Sequence, residues 1–88
     1  MHIGLVGLGK MGGNMRTRLR NKGIEVTGYA RDRNIADCGS IEEMVNALPS
    51  PKIVWVMVPH GSATDGVINE LEKFMGAGDL IIEGGNSR

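Results

Sequence analysis

Three closely spaced glycines near the start of the chain constrain its fold more than any other feature. They stand in the stretch GLGKMG, residues 7–12, directly after the apolar run HIGLV, residues 2–6. A short apolar run that stops at a glycine predicts a buried strand. Beyond the glycines, methionine and leucine recur every four residues, which predicts a helix over residues 10–22. The glycines therefore fill a turn between a strand and a helix.

The G-x-G-x-x-G spacing gives each glycine a physical role. Gly7 permits a tight turn, Gly9 removes a side chain where a pyrophosphate must approach the backbone, and Gly12 lets the helix pack closely against the strand. The amides and the partial positive charge at the start of that helix then face the phosphates. Because 14 of the 88 residues are glycine, the spacing alone is weak. Its place between a strand and a helix is what predicts a dinucleotide site.

Strands and helices alternate along the rest of the chain. Ser40 followed by Glu43 forms a capping box that opens a short helix ending near Leu48. Apolar residues at helical spacing predict another helix over 63–75, and further strands are predicted at 24–29, 53–58 and 80–83. This alternation is typical of an α/β fold with a parallel sheet and right-handed crossovers. Ligands of such sheets bind beyond the carboxyl ends of the strands, here residues 7–12, 30–33, 58–61 and 84–88.

The charge balance and the cysteine content limit the kinds of molecule that this chain is expected to bind. Ten basic and ten acidic residues cancel, so the chain lacks the positive field of a general nucleic-acid or anionic-membrane binder. Its one cysteine, Cys38, allows no internal disulfide and no Cys/His metal cluster. No apolar run reaches the ~20 residues of a membrane span. We therefore expect a cytoplasmic protein that binds a small molecule, with no metal, nucleic acid or membrane as partner.

The residues that follow the second strand predict the choice of cofactor. NAD-binding proteins usually carry an acidic residue there, but this chain has Ala30 followed by Arg31. A guanidinium favours the 2′-phosphate of NADP. Two alternatives stay open: the arginines Arg31 and Arg33 are solvated charges offset by Asp32, or Asp32 turns inward to serve NAD. NADP is thus the expected cofactor, with NAD as the alternative.

Other polar residues have structural interpretations. The basic residues of the first helix, Arg16, Arg18, Arg20 and Lys22, are expected to form a solvated face that offsets the helix dipole. Cys38 has no basic neighbour in the sequence that would activate a thiolate, so we expect it to be structural.

Three motifs together carry a family resemblance. GLVGLGKMGGNM, WVMVPHG and IIEGGNSR, in this order and spacing, resemble the N-terminal domain of 6-phosphogluconate dehydrogenase within the β-hydroxyacid dehydrogenase superfamily. The resemblance covers residues 1–88 and implies an NAD(P)-binding Rossmann fold: a doubly wound parallel sheet, truncated, with its usual third strand reduced to a remnant around Ile35 to Cys38. The EGGNS segment, residues 83–87, is the part most particular to the phosphogluconate enzymes.

The resemblance also implies which residues bind the cofactor. The glycine loop holds the pyrophosphate, the turn after the second strand selects the cofactor, and the backbone after the next long strand passes the adenosine ribose. Asn86 lies near the nicotinamide and is the one candidate for contact with substrate. The implied cofactor-binding residues are Gly7, Leu8, Gly9, Lys10, Met11, Gly12, Ala30, Arg31, Asp32, Val58, Pro59, His60 and Asn86.

The implied reaction is the oxidative decarboxylation of 6-phosphogluconate to ribulose 5-phosphate with NADP. In the family a lysine serves as general base and a glutamate as general acid. Neither falls in this chain. Residues 1–88 are therefore expected to be an inactive fragment, without the helical catalytic domain, of a longer enzyme that is a homo-oligomer. The alternatives are a stand-alone NADP(H)-binding or regulatory module, and another β-hydroxyacid dehydrogenase such as a 3-hydroxyisobutyrate dehydrogenase.

Overall fold

The computed structural model describes residues 1–58 and 62–83, and the side chains of the second range from residue 65 onward. Strands and helices alternate along these residues as predicted, with ends that differ from the predicted ones by at most two residues. The elements are β1 His2–Val6, α1 Lys10–Asn21, β2 Glu25–Tyr29, α2 Ile41–Asn46, β3 Ile53–Val56, α3 Ser62–Phe74 and β4 Leu80–Glu83.

The described strands form one parallel sheet in the order β2-β1-β3-β4. One of the two inner strands is β1, in which Leu5 pairs with Gly28 of β2 on one side and with Trp55 of β3 on the other. An almost wholly apolar strand suits this position, because neighbours surround it within the sheet and helices cover it above and below. The prediction of an α/β fold with a parallel sheet is confirmed.

The two faces of the sheet belong to separate cores. On one face, Val6, Val54 and Val56 pack with the buried residues of α2 and with Leu71 of α3. On the other, the core of Ile3, Leu5, Leu8 and Val26 packs with Met15 and Leu19 of α1. The sheet is therefore doubly wound, with α1 on one face and α2 and α3 on the other. Within the described part of the chain, no helix has the length and apolar character needed to cross a membrane.

A side-chain cap fixes the start of α2. Ser40 Oγ accepts a hydrogen bond from the amide of Glu43 at 3.0 Å, as the capping box predicts. The Glu43 carboxylate in turn accepts from the amide of Gly39, one residue earlier than in the standard box. Ser40 therefore caps the helix, and Glu43 bonds to the residue before that cap.

The segment between β2 and α2 contains no third strand. Around Ile35 to Cys38, where the family resemblance implies only a remnant of the usual third strand, this short segment bonds largely within itself and meets the edge of the sheet through Asp37 and Cys38. Asp32 Oδ1 accepts from the amide of Asn34 at 2.9 Å, and the backbone amide of Asp37 donates to the carbonyl oxygen of Gly28 in β2. Among the described residues the sheet thus has four strands.

Asp79 joins the segments that enter β3 and β4. Its carboxylate accepts from the amide of Gly76 at 2.8 Å and from that of Lys52 at 2.7 Å. These backbone hydrogen bonds hold the pKa of Asp79 below its ordinary value of 3.8. The Lys52 ammonium donates to the carbonyl oxygens of Val45 and Leu48, which ties the end of α2 to the same junction.

Candidate functional site

A cavity of about 660 Å³ opens at the carboxyl ends of β1, β2 and β3. Its wall combines the turns that follow these strands with the start of α2 and one face of α3. The lining residues are Val6, Gly7, Leu8, Gly9, Tyr29, Ala30, Arg31, Ile35, Ile41, Val58, Gly66, Val67 and Glu70. Three of the segments singled out in the sequence thus meet in one space, at the edge of the sheet where α/β proteins bind ligands.

The turn after β1 has a backbone shape that only small residues can form. Gly7 has a φ of 96°, and a Cβ placed there would lie 3.0 Å from the backbone of Met57. A Cβ on Gly12 would lie only 1.9 Å from the carbonyl oxygen of Gly7, so α1 packs directly against the turn. Gly9 is the opposite case, because a Cβ there would meet nothing within 4 Å. The open space beside Gly9 belongs to the cavity.

The start of α1 lies beside this space, with Gly9 in the cavity wall. Gly9 is the N-cap residue, no side chain caps the helix there, and its first turn holds no acidic residue. The contrast is α2, where Ser40 caps the helix and Glu42 and Glu43 occupy the first turn. Because the first amides of a helix carry partial positive charge and need acceptors, the start of α1 suits an anionic group.

The turn after β2 brings one cation to the cavity. Ala30 and Arg31 line the wall, and the Arg31 side chain is exposed to solvent. Asp32 lies outside the lining set and uses its carboxylate to accept from Asn34. Of the charged residues in this turn, Arg31 therefore lines the cavity, while the carboxylate of Asp32 accepts a hydrogen bond within the turn.

Two arginines of α1 hold the outer end of the same segment. Asp37 Oδ2 accepts from Arg20 Nη2 at 2.8 Å and from Arg16 Nη1 at 3.3 Å. The same guanidinium groups also donate to backbone carbonyl oxygens, Arg20 to Val26 and Arg16 to Ile35, both at 2.8 Å. The expectation of a wholly solvated basic face on α1 is thus wrong for these two residues. Their four-residue spacing put them on one face, but no local pattern identified Asp37 as their partner.

Cys38 lies half-buried beside this ion-pair cluster. Its Sγ donates to the carbonyl oxygen of Gly28 at 3.6 Å. Burial raises the pKa of the Cys38 thiol above its ordinary value of 9.0; a backbone hydrogen bond at Ser40 opposes the rise, and the charges of Glu43 and Asp37 add to it. A thiol held in its neutral form agrees with a structural role.

Several residues of the wall carried no signal in the sequence. Glu70 and Gly66 lie one helical turn apart on α3, and Ile41 begins α2. The sequence placed them in helices, but only the packing of α3 beside α2 turns them toward the cavity. Glu70 is notable because it places a carboxylate on the wall that also carries Arg31.

The other predicted site residues fall into two groups. Among the described residues, Lys10, Met11 and Gly12 belong to the first turn of α1 and do not line the cavity. Pro59, His60 and Asn86 lie outside the described residues, as does the segment 84–88.

Comparison with known proteins points to one family. The family model for the NAD binding domain of 6-phosphogluconate dehydrogenase matches residues 2–88. A decarboxylating 6-phosphogluconate dehydrogenase of Drosophila melanogaster is 37% identical over 97% of this chain and 21% of its own length. A relative in Haloferax volcanii, named as the NAD(+)-dependent, decarboxylating enzyme, is 31% identical over 99% of this chain and 32% of its own length.

A solved structure is similar to the whole chain. The 6-phosphogluconate dehydrogenase of Plasmodium falciparum superposes with a TM-score of 0.78 and 28% identity, over 100% of this chain and 22% of that protein. That enzyme was solved in its apo form, with its cofactor NADP+ and with its substrate 6-phosphogluconate. The chain therefore spans between about a fifth and a third of the length of these relatives.

Proposed function

This chain belongs to the family of NAD-binding domains of 6-phosphogluconate dehydrogenase, and from that membership we propose that its cavity binds NADP+. In a longer protein, the chain would be the N-terminal part of an enzyme that oxidatively decarboxylates 6-phosphogluconate to ribulose 5-phosphate. The Drosophila and Plasmodium relatives carry the name of this enzyme, and the Plasmodium enzyme binds NADP+.

The shape of the turn after β1 is the observation that carries the proposal. Gly9 leaves the space beside the backbone open, while Gly7 and Gly12 let the turn and α1 close against each other. A pyrophosphate fits such a cradle, because it can accept hydrogen bonds from the first amides of α1 with no side chain in its way. The lack of an acidic residue in the first turn of α1 supports this assignment, since a carboxylate would repel the phosphates.

Arg31 supports NADP+ over NAD+. It lines the cavity at the end of β2, where a dinucleotide held on the glycine turn places its adenosine ribose. A guanidinium can donate two hydrogen bonds to a 2′-phosphate, and the Asp32 carboxylate, which would serve a 2′-hydroxyl, is engaged with Asn34. Relatives in Haloferax volcanii and Bacillus subtilis are named as NAD(+)-dependent, so the test compares both cofactors.

The remaining steps of the reaction are assigned to the rest of the longer protein. When bound, NADP+ would accept a hydride from the substrate, while the residues of this chain bind its phosphates and orient its adenosine. Asn86 is our candidate for contact with both nicotinamide and substrate. We further propose that the longer protein is a cytoplasmic homo-oligomer, which its native mass and its cellular fractionation would test.

Calorimetric titration of the chain with NADP+ and NAD+ tests the proposal. We expect the chain to bind NADP+ more tightly than NAD+. An Arg31→Gln variant should bind NADP+ about tenfold more weakly, a loss of roughly 1.4 kcal/mol in binding free energy, with little change in its affinity for NAD+. Arg33→Gln is the matched control, because Arg33 lies in the same turn but outside the cavity wall.

Two outcomes would contradict the proposal. Equal or reversed affinities for the two cofactors would remove the role given to Arg31. Formation of NADPH from 6-phosphogluconate by this chain alone would contradict the placement of the proton-transfer residues elsewhere.

A further inference from the structure

We propose that Asp37 is a positioning residue for cofactor selection: it takes the place of a neighbouring strand at the outer edge of β2 and holds the turn that carries Arg31. This inference rests on the proposed binding of NADP+ and adds to it a residue that does not itself line the cavity.

Asp37 and Arg20 form hydrogen bonds with the outer edge of β2. Tyr29 directs its carbonyl oxygen toward β1, where it accepts from the amide of Gly7, so alternate residues of β2 direct their backbone groups outward. Gly28 is one of these, and Asp37 satisfies both of its groups: the Asp37 amide donates to the Gly28 carbonyl oxygen at 2.8 Å, and Asp37 Oδ2 accepts from the Gly28 amide at 2.7 Å. Arg20 serves the outward carbonyl oxygen of Val26.

These bonds close a loop of the chain on itself. Residues 30–36 leave β2 directly after Tyr29 and return to its edge at Asp37, so both ends of the loop are anchored beside Gly28. Arg16 adds a third attachment, since it donates to the carbonyl oxygen of Ile35 as well as to Asp37. Arg31 and Ile35, the two loop residues that line the cavity beyond Ala30, thus lie between fixed points.

The same edge contacts the glycine turn. A Cβ on Gly28 would lie 2.9 Å from Leu8 Cδ2 and 3.1 Å from Asp37 Oδ2, so Gly28 is in close contact with both. Leu8 stands between Gly7 and Gly9 in the proposed pyrophosphate cradle. The position of Asp37 is therefore coupled through Gly28 to the turn that binds the phosphates, and through the loop to the side chain that selects the cofactor.

An Asp37→Asn variant separates positioning from simple charge. The asparagine oxygen can still accept from Gly28, but without its negative charge it holds the two guanidinium groups more weakly, so the loop that carries Arg31 is less firmly anchored. If Asp37 acts by positioning Arg31, the affinity of this variant for a ligand with a 2′-phosphate falls. If Asp37 acted only as a negative charge near the ligand, its removal would raise that affinity.

The test uses two mononucleotides that differ only at the 2′ position, adenosine 2′,5′-bisphosphate and adenosine 5′-monophosphate, titrated into the chain by calorimetry. We expect Asp37→Asn to weaken the bisphosphate about fivefold or more and the monophosphate less than about twofold. Arg18→Gln is the matched control, because this substitution removes one charge from the last turn of α1, the helix that also carries Arg16 and Arg20. It should leave the affinities for both mononucleotides unchanged.

A second variant guards against misfolding of the first. Arg16→Gln removes the attachment at Ile35 while the bonds between Asp37 and Gly28 stay in place. Like Asp37→Asn, it should lower the ratio of the affinity for the bisphosphate to the affinity for the monophosphate. An unchanged or raised ratio in the folded variants would overturn this inference while leaving NADP+ binding intact. A wild-type chain that binds neither mononucleotide nor NADP+ would overturn the proposed function and this inference with it.

Discussion

Replacing Gly12 with alanine tests how closely α1 packs against the end of β1. The new Cβ would lie 1.9 Å from Gly7 O and 2.9 Å from Gly7 C, whereas Cβ atoms in proteins keep at least 3.0 Å from such neighbours. Since backbone would meet backbone, either the helix or the turn must move by about 1 Å in a close-packed region. Such overpacking costs about 3 kcal/mol, and alanine regains about 1 kcal/mol of helix propensity, which leaves a net loss near 2 kcal/mol.

Gly13→Ala is the matched control for this variant. It lies one residue further along α1, where a Cβ would meet Leu8 O at an ordinary 3.4 Å. Only the propensity gain applies there, so this variant should be more stable than the wild type by up to about 1 kcal/mol. Urea unfolding followed by circular dichroism measures both free energies, and calorimetry with NADP+ should show weaker binding for Gly12→Ala alone. Equal stability of the two variants within about 0.5 kcal/mol would refute the close packing of α1 on Gly7.

Two further predictions follow from pKa values. The depressed pKa of Asp79 stabilises the fold above its ordinary value of 3.8, and this stability is lost as the pH falls through the lower folded value. Asp79→Asn should therefore destabilise the chain at neutral pH and make its free energy of unfolding depend less on pH in the acid range. An unchanged dependence on pH in that range would contradict this prediction. The raised pKa of the Cys38 thiol predicts slower alkylation by iodoacetamide in the folded chain than in urea at mildly alkaline pH, and equal rates would argue against the burial.

Local features of the sequence were sufficient to predict most of the fold. Apolar runs located the strands, and helical spacing located the helices within two residues, because both patterns report burial along a single element. The cap of α2 was readable for the same reason, since Ser40 and Glu43 are three residues apart in the chain.

The sequence by itself determined the glycine turn and its place between β1 and α1, because the shape of a tight turn depends on neighbouring residues and on which of them lack a Cβ. Tertiary structure alone decided that Asp37 meets Arg16 and Arg20, and that Glu70 shares a wall with Arg31. These contacts join elements that are distant in sequence and adjacent only through the order of strands in the sheet. Periodicity states which face of a helix is buried, but the identity of the neighbour on that face is set by packing.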